Sequence, residues 1–176
     1  MVELVEGQAG LAPSTGVDWH AYNRRVVFDG DGAVADRVTA AGPVGAQIVG
    51  QFQALCLQHP DPVTGPEDLV HGDLSTANLL VRAEKIVAVV DVEALGKGHR
   101  VSDYACLLRE GYMDGADRQV LRRLREVAEA GAGPGALAVS CAATAFLVAG
   151  FVLEHLPWRW PAKSTGLLDL VADLGG

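Results

Sequence analysis

Between Gly131 and Leu153 the chain carries no charged residue, and this run limits the fold more than any other feature. A stretch of that length either crosses a bilayer or is buried on all sides within a protein. Here it opens Gly-Ala-Gly-Pro-Gly and is rich in alanine and other small residues. The helical part therefore starts at Pro134, is short and is only moderately apolar. The reading is a buried core helix from Pro134 to Leu153 whose alanines and glycines let neighbours approach closely. Phe146, Leu147 and Phe151 are expected to fill the gaps. Such a helix needs partners on every side, and 176 residues with 49% apolar content supply one domain with a core of that kind.

The partners are legible to different degrees. Pro43 suits a first helical turn, and Val44, Ile48, Phe52, Leu55 and Cys56 follow on one face until His59-Pro60. Asp117 to Glu129 is amphipathic, with Arg118, Arg122, Arg123 and Arg125 facing solvent. Ser102 is placed to cap a helix through Tyr104, Leu107 and Leu108. After Trp158-Arg159-Trp160-Pro161 breaks the pattern, Leu167 to Leu174 reads as a last short helix. Residues 1–20 read as a lead-in loop punctuated by Gly10, Pro13 and Gly16, and Trp19 to Phe28 as a short helix running into a strand. Asp29-Gly30-Asp31-Gly32 is a turn that lacks the remaining ligand positions of a calcium loop. Pro60, Pro62, Gly65 and Pro66 mark another loop. Leu69 to Leu74 is extended. Leu79–Val81 and Ile86–Val90 form a β-hairpin across a four-residue connection, Arg82-Ala83-Glu84-Lys85. The fold class is mainly α with a small β-hairpin, α+β, in a single domain.

Several function classes drop out early. A net charge of −8 argues against a general nucleic-acid binder, which needs a basic stripe to neutralise phosphates. It is compatible with a cationic substrate. Cys56, Cys106 and Cys141 are odd in number and widely spaced, which suits buried thiols in the cytoplasm and neither a zinc ribbon nor a disulfide framework. The first ten residues contain two glutamates and no basic segment before an apolar run, so no signal peptide and no membrane association are expected.

The chemistry is concentrated in Leu69 to Ala105. His71-Gly72-Asp73-Leu74-Ser75-Thr76-Ala77-Asn78 sets an aspartate and an asparagine with four residues between them, an interval at which a folded-back loop aims both side chains at one point. Phosphoryl transfer uses such a pair, a carboxylate for the acceptor hydroxyl proton and a neutral oxygen for a metal ion. At the end of the second hairpin strand stands Asp91, followed by Val92 and Glu93. A carboxylate there can complete a magnesium site, since magnesium prefers hard oxygen ligands. A metallohydrolase built on His71, Asp73, Asp91 and His99 is the competing reading, but the chain has no His-x-His or His-Glu-x-x-His pairing to support it.

These elements resemble the aminoglycoside-phosphotransferase and choline-kinase superfamily, whose pattern is His-Gly-Asp with an asparagine five later and then an aspartate in an Ile-Asp-Trp-Glu-like strand end. The resemblance implies the C-terminal lobe of a protein-kinase-like fold, with ATP as phosphoryl donor and Mg2+ as cofactor. It implies Asp73 as catalytic base, Asn78 and Asp91 as metal and cofactor ligands, and His71 as a loop organiser. Gly98, Arg100 and Asp103-Tyr104-Ala105 resemble the element that follows in the family, where the aspartate steadies the catalytic loop from a helix N-terminus. Val92 replaces the usual aromatic residue, and Glu93 matches an acidic position near the metal. The helices after the metal strand wall the acceptor site in relatives, which points to Tyr112, Glu154, His155, Trp158 and Trp160 around a small-molecule hydroxyl acceptor, with a cationic one suited to acidic and aromatic walls.

A complete kinase also needs a lobe that covers the phosphates and brings a strand lysine with its helix glutamate. No GxGxxG occurs, and Lys85 and Lys97 lie within or after the catalytic segment. The expectation is a lobe in three parts, residues 1–20 leading in, 69–105 carrying loop and metal strand, and 106–176 forming the helical substrate side. The N-terminal ATP lobe would be absent, either because the chain is a fragment or truncated product or because a partner chain or a second copy supplies that lobe. The alternative is a non-catalytic or vestigial binding module that keeps the fold.

Overall fold

The computed structural model describes residues 1–11, 13–30, 33–59 and 67–176. Along the chain these form α1 (Val2–Glu6), β1 (Val17–Asp18), α2 (Trp19–Arg24) with a wider helical turn over Arg25–Asp29, α3 (Val34–Ala40) and α4 (Pro43–Gln58). Then come β2 (Asp68–Val70), β3 (Leu79–Arg82), β4 (Lys85–Val89), β5 (Gly96–Gly98), α5 (Val101–Asp114), α6 (Arg118–Ala132), α7 (Pro134–His155) and α8 (Trp160–Gly175). Asp31 and Gly32 of the expected turn lie outside the described residues, as do Pro60, Pro62, Gly65 and Pro66.

The uncharged run is α7. It has the length and composition to cross a bilayer, yet here it is the axis of the helical body, in contact with α2, α3, α4, α5, α6 and α8. Its alanines at 138, 142, 143, 145 and 149 are buried and let those helices approach closely. Phe146 is fully enclosed and meets the Phe52 ring edge-on, 6.0 Å between centroids. Each such enclosed side chain contributes roughly 1.5–3 kcal/mol relative to exposure. Leu147 is only partly buried and Phe151 is 54% exposed, so the gap-filling expected of them falls to Phe146. The reason is an open cleft along that side of α7.

Helix α4 begins with Pro43 in its first turn and buries Ile48, Phe52, Leu55 and Cys56, whereas Val44 points outward. Helix α6 is capped by Asp117, whose side chain accepts from the Gln119 and Val120 amides. Ser102 does not cap α5. It lies within the helix, buried, where its Oγ accepts a hydrogen bond from Asn23 Nδ2 at 3.1 Å.

Other departures have tertiary causes. The strand expected before Phe28 is helical, because Val26 and Val27 are buried among helices and burial overrides β-propensity. The lead-in segment contains α1, held by Val5 in the core and by Glu6, which accepts from Arg100 and Tyr104. The last helix is twice the expected length, since Trp160 and Pro161 start it rather than end the chain's order. The hairpin closes over two residues, not four. Arg82 pairs with Lys85, and Ala83 and Glu84 both take positive φ, 48° and 61°, the turn whose twist matches the strands. Val87 bulges out of the ladder, since Ala88 faces Leu80 and Ile86 faces Val81. Strands β1, β5 and β2 make a small separate sheet in that order, β1 parallel and β2 antiparallel to β5.

Candidate active site

The short sheet delivers the chain to His71, and the first turn of α5 catches it there. Asp103 is fully buried. Its Oδ1 accepts the Gly72 amide, and its Oδ2 accepts the His71 amide and Gln8 Nε2, all at 2.9 Å. Burial pushes the Asp103 carboxyl up from its ordinary pKa, and these N–H donors pull it back. Gly72 has φ +86°, and a Cβ there would lie 1.9 Å from the Trp19 indole. Trp19 is itself fixed by donating from Nε1 to the Ala94 carbonyl at 2.9 Å. Cys106, buried beneath the loop, donates to the Gly72 carbonyl, and burial raises its thiol pKa.

His71 joins the loop to the hairpin. The Asp73 amide donates to Nδ1 at 3.4 Å, which leaves the ring proton on Nε2, donated to the Val90 carbonyl at 3.0 Å. The Val90 amide in turn donates to the Asn78 carbonyl at 2.9 Å. Asp91 therefore starts from a backbone tied to both His71 and Asn78. It takes a left-handed conformation, φ 59° and ψ 54°, which aspartate tolerates better than most residues, and its side chain is exposed. Asn78 Nδ2 donates to the Asp73 carbonyl at 2.9 Å, so its amide oxygen is turned away from that bond. Glu93 is exposed in the turn that follows Asp91.

The Asp73 carboxylate is 63% exposed, and Arg109 Nη2 approaches it at 3.6 Å. Arg109 is buried, and its Nε has no hydrogen-bond partner among the described residues. One residue on, Glu110 grips the turn Thr76–Asn78. Its two oxygens accept the Thr76 amide at 2.9 Å and the Thr76 hydroxyl at 2.7 Å. Asp103, Arg109 and Glu110 thus meet three points of one loop from the same helix, α5. Sequence reading missed Arg109 and Glu110; Glu110 lies about two helical turns after Asp103 and so on its face, but nothing in that spacing says which loop it meets.

Asp73 opens into a cleft of about 690 Å³ walled by α5, α7, the turn before α8 and Trp19. These are the expected helices, but the expected side chains do not line it. The Tyr112 hydroxyl donates to Asp173, and burial, then that contact, pushes its pKa up to about 12. Glu154 lies 3.9 Å from Arg37, and His155 packs on Phe151. Trp158 is exposed, and Trp160 packs on the core. The lining residues are instead Glu110, Met113 and Asp114 of α5, Thr144, Leu147, Val148 and Phe151 of α7, and Arg159 and Lys163.

Among the described residues no group of three His, Cys, Asp or Glu side chains is arranged to hold a metal. His99 is buried with Nδ1 accepting the Val101 amide, so it does not join His71, Asp73 and Asp91. Asn78 and Asp91 are linked, among the described residues, only through the backbone, by the Val90 amide on the Asn78 carbonyl, and both carry hard oxygen donors of the sort magnesium takes alongside phosphates and water.

The family model of the phosphotransferase enzyme family (APH) matches residues 14–139, well over half the chain and all of the loop and hairpin. No curated protein and no solved structure matches it significantly. With its helical body, small antiparallel hairpin and Asp103-clamped loop, the chain belongs to the phosphotransferase enzyme family.

Proposed function

We propose that this chain is the catalytic lobe of an ATP-dependent small-molecule kinase of the cytoplasm, transferring the γ-phosphoryl group to a substrate hydroxyl. The observation that carries the reading is the hydrogen bond from Asn78 to the Asp73 backbone, made while Val90 is held between Asn78 and His71. These bonds tie the backbone of Asp73, at the mouth of the cleft, to Asn78 and to Val90, the residue before Asp91, which supports a role for Asp73, Asn78 and Asp91 in one site.

In this reading Asp73 accepts the hydroxyl proton as the oxygen attacks phosphorus, and Arg109, 3.6 Å away, aims the carboxylate. Asn78 Oδ1 and the Asp91 carboxylate would hold Mg2+, which when bound neutralises charge on the phosphates. His71, Glu110 and Asp103 position the loop, and Glu93 supports the Asp91 turn. A covering loop and strand lysine are not supplied by the described residues and come from another segment, a partner chain or a second copy. Leu80, Val81, Val87, Val90 and Val92 are exposed on and beside the hairpin and offer such a lobe an apolar surface.

The test is phosphoryl transfer from γ-labelled Mg-ATP to a panel of alcohols. Wild-type chain should label an acceptor, and Asp73→Asn should lower the rate by about 10²–10⁴-fold, the usual worth of a general base. Equal rates for both would overturn the assignment of Asp73. No transfer by the wild type with any lobe supplied would favour a non-catalytic module.

A further inference from the structure

The reading above places the acceptor hydroxyl at Asp73; the rest of the same cleft bears on what the acceptor carries at its other end. Three acids and three bases line the cleft, Asp73, Glu110 and Asp114 against Arg109, Arg159 and Lys163. Five of them are engaged. Arg109 approaches Asp73 at 3.6 Å, Lys163 pairs with Asp114, and both Glu110 oxygens accept from Thr76. Arg159 has no acidic partner among the described residues, although it is one of the cleft's own walls. Much of the remaining wall is apolar, with the adjacent Leu147 and Val148 about one turn before Phe151 on α7, and Met113 on α5.

We propose that the acceptor is an amphipathic hydroxy acid, with its hydroxyl at Asp73, an apolar body on α7 and a carboxylate recognised by Arg159. A guanidinium suits a carboxylate because its planar fork can donate two parallel hydrogen bonds. One unpartnered cation balances one negative charge, whereas a phosphate monoester brings nearly two. A cationic acceptor would meet only carboxylates already engaged and would be repelled by Arg159. The chain's net charge of −8 does not reverse this, since charges farther than about 10 Å are largely screened at ordinary ionic strength.

The test reads binding without nucleotide, so it does not depend on transfer. Amide NMR shifts of the full chain are followed during titration with three ligands of equal length, ω-hydroxyhexanoate, hexanol and ω-aminohexanol. The hydroxy acid should bind most tightly and the amino alcohol most weakly, with shifts at Phe151, Arg159 and Lys163. Arg159→Gln should weaken the hydroxy acid by about tenfold, the loss of one charge-assisted contact, and leave hexanol unchanged. Phe151→Ser should weaken all three. The proposal is overturned if the amino alcohol binds as well as the hydroxy acid, if Arg159→Gln changes nothing, or if no ligand shifts the cleft. Loss of transfer with this binding order intact would sink the kinase reading and leave the acceptor class standing.

Discussion

Asp103 is the residue on which the loop depends, because one buried carboxylate satisfies three separate N–H donors. Asparagine is nearly the same size but turns one acceptor into a donor that faces either the Gly72 amide or the His71 and Gln8 donors. Asp103→Asn should therefore destabilise the fold by about 1–3 kcal/mol, the cost of a buried donor left without an acceptor, measured by urea unfolding. A change near zero would mean that the carboxylate does not hold the loop. At this scale the sequence was informative where short intervals fix geometry. Asp73, Asn78, Asp91 and Asp103 were singled out from spacing and resemblance, and hydrogen bonds link their segments through the loop and hairpin. Arg109, Glu110 and Trp19 were missed because their part is set by what packs against them, not by neighbours in the chain.

Among the elements, α4, α6, α7 and the hairpin were legible because each carries a long periodic pattern or a strong turn signal. α3 was not read at all. It is seven residues long, with Val34, Ala35 and Val38 buried, too short a run for a helical period to emerge. The segment Trp19–Asp29 misled for the opposite reason, its β-branched pair being buried by helices. The same logic separates the two phenylalanines of α7. Phe146→Ala should cost about 3–5 kcal/mol, since it empties an enclosed site against Phe52, while Phe151→Ala should stay within about 0.5 kcal/mol because its ring already faces the cleft. Thermal unfolding of the two variants checks this, and equal losses would show that α7 is not the spine.

For the molecule as a whole, α1, β2 and α5 are joined by Arg100, which bridges Glu6 at 3.0 Å and Asp68 at 2.9 Å. Burial alone would raise the Asp68 carboxyl, but the Gly10 amide and Arg100 more than offset it and leave it below its ordinary range. The Arg100 hydrogen bond likewise lowers Glu6. Both groups bind protons less readily folded than unfolded, so their stabilisation is present above about pH 4 and is lost as pH falls through the depressed values. Asp68→Asn should lower stability at neutral pH and make the acid limb of the melting profile shallower. An unchanged acid limb would show that this bridge does not set acid stability. The central claim, that Asn78 and Asp91 hold the metal beside the Asp73 base, is tested most directly by paramagnetic relaxation. Mn2+ and ATP are added to labelled full chain, and amide broadening is mapped with no acceptor and no turnover required. Broadening centred on Asn78 and Asp91, spreading to Asp73 and lost in an Asn78→Ala, Asp91→Asn double variant, is the predicted result. Broadening elsewhere, or at the same amides in the double variant, would contradict the account.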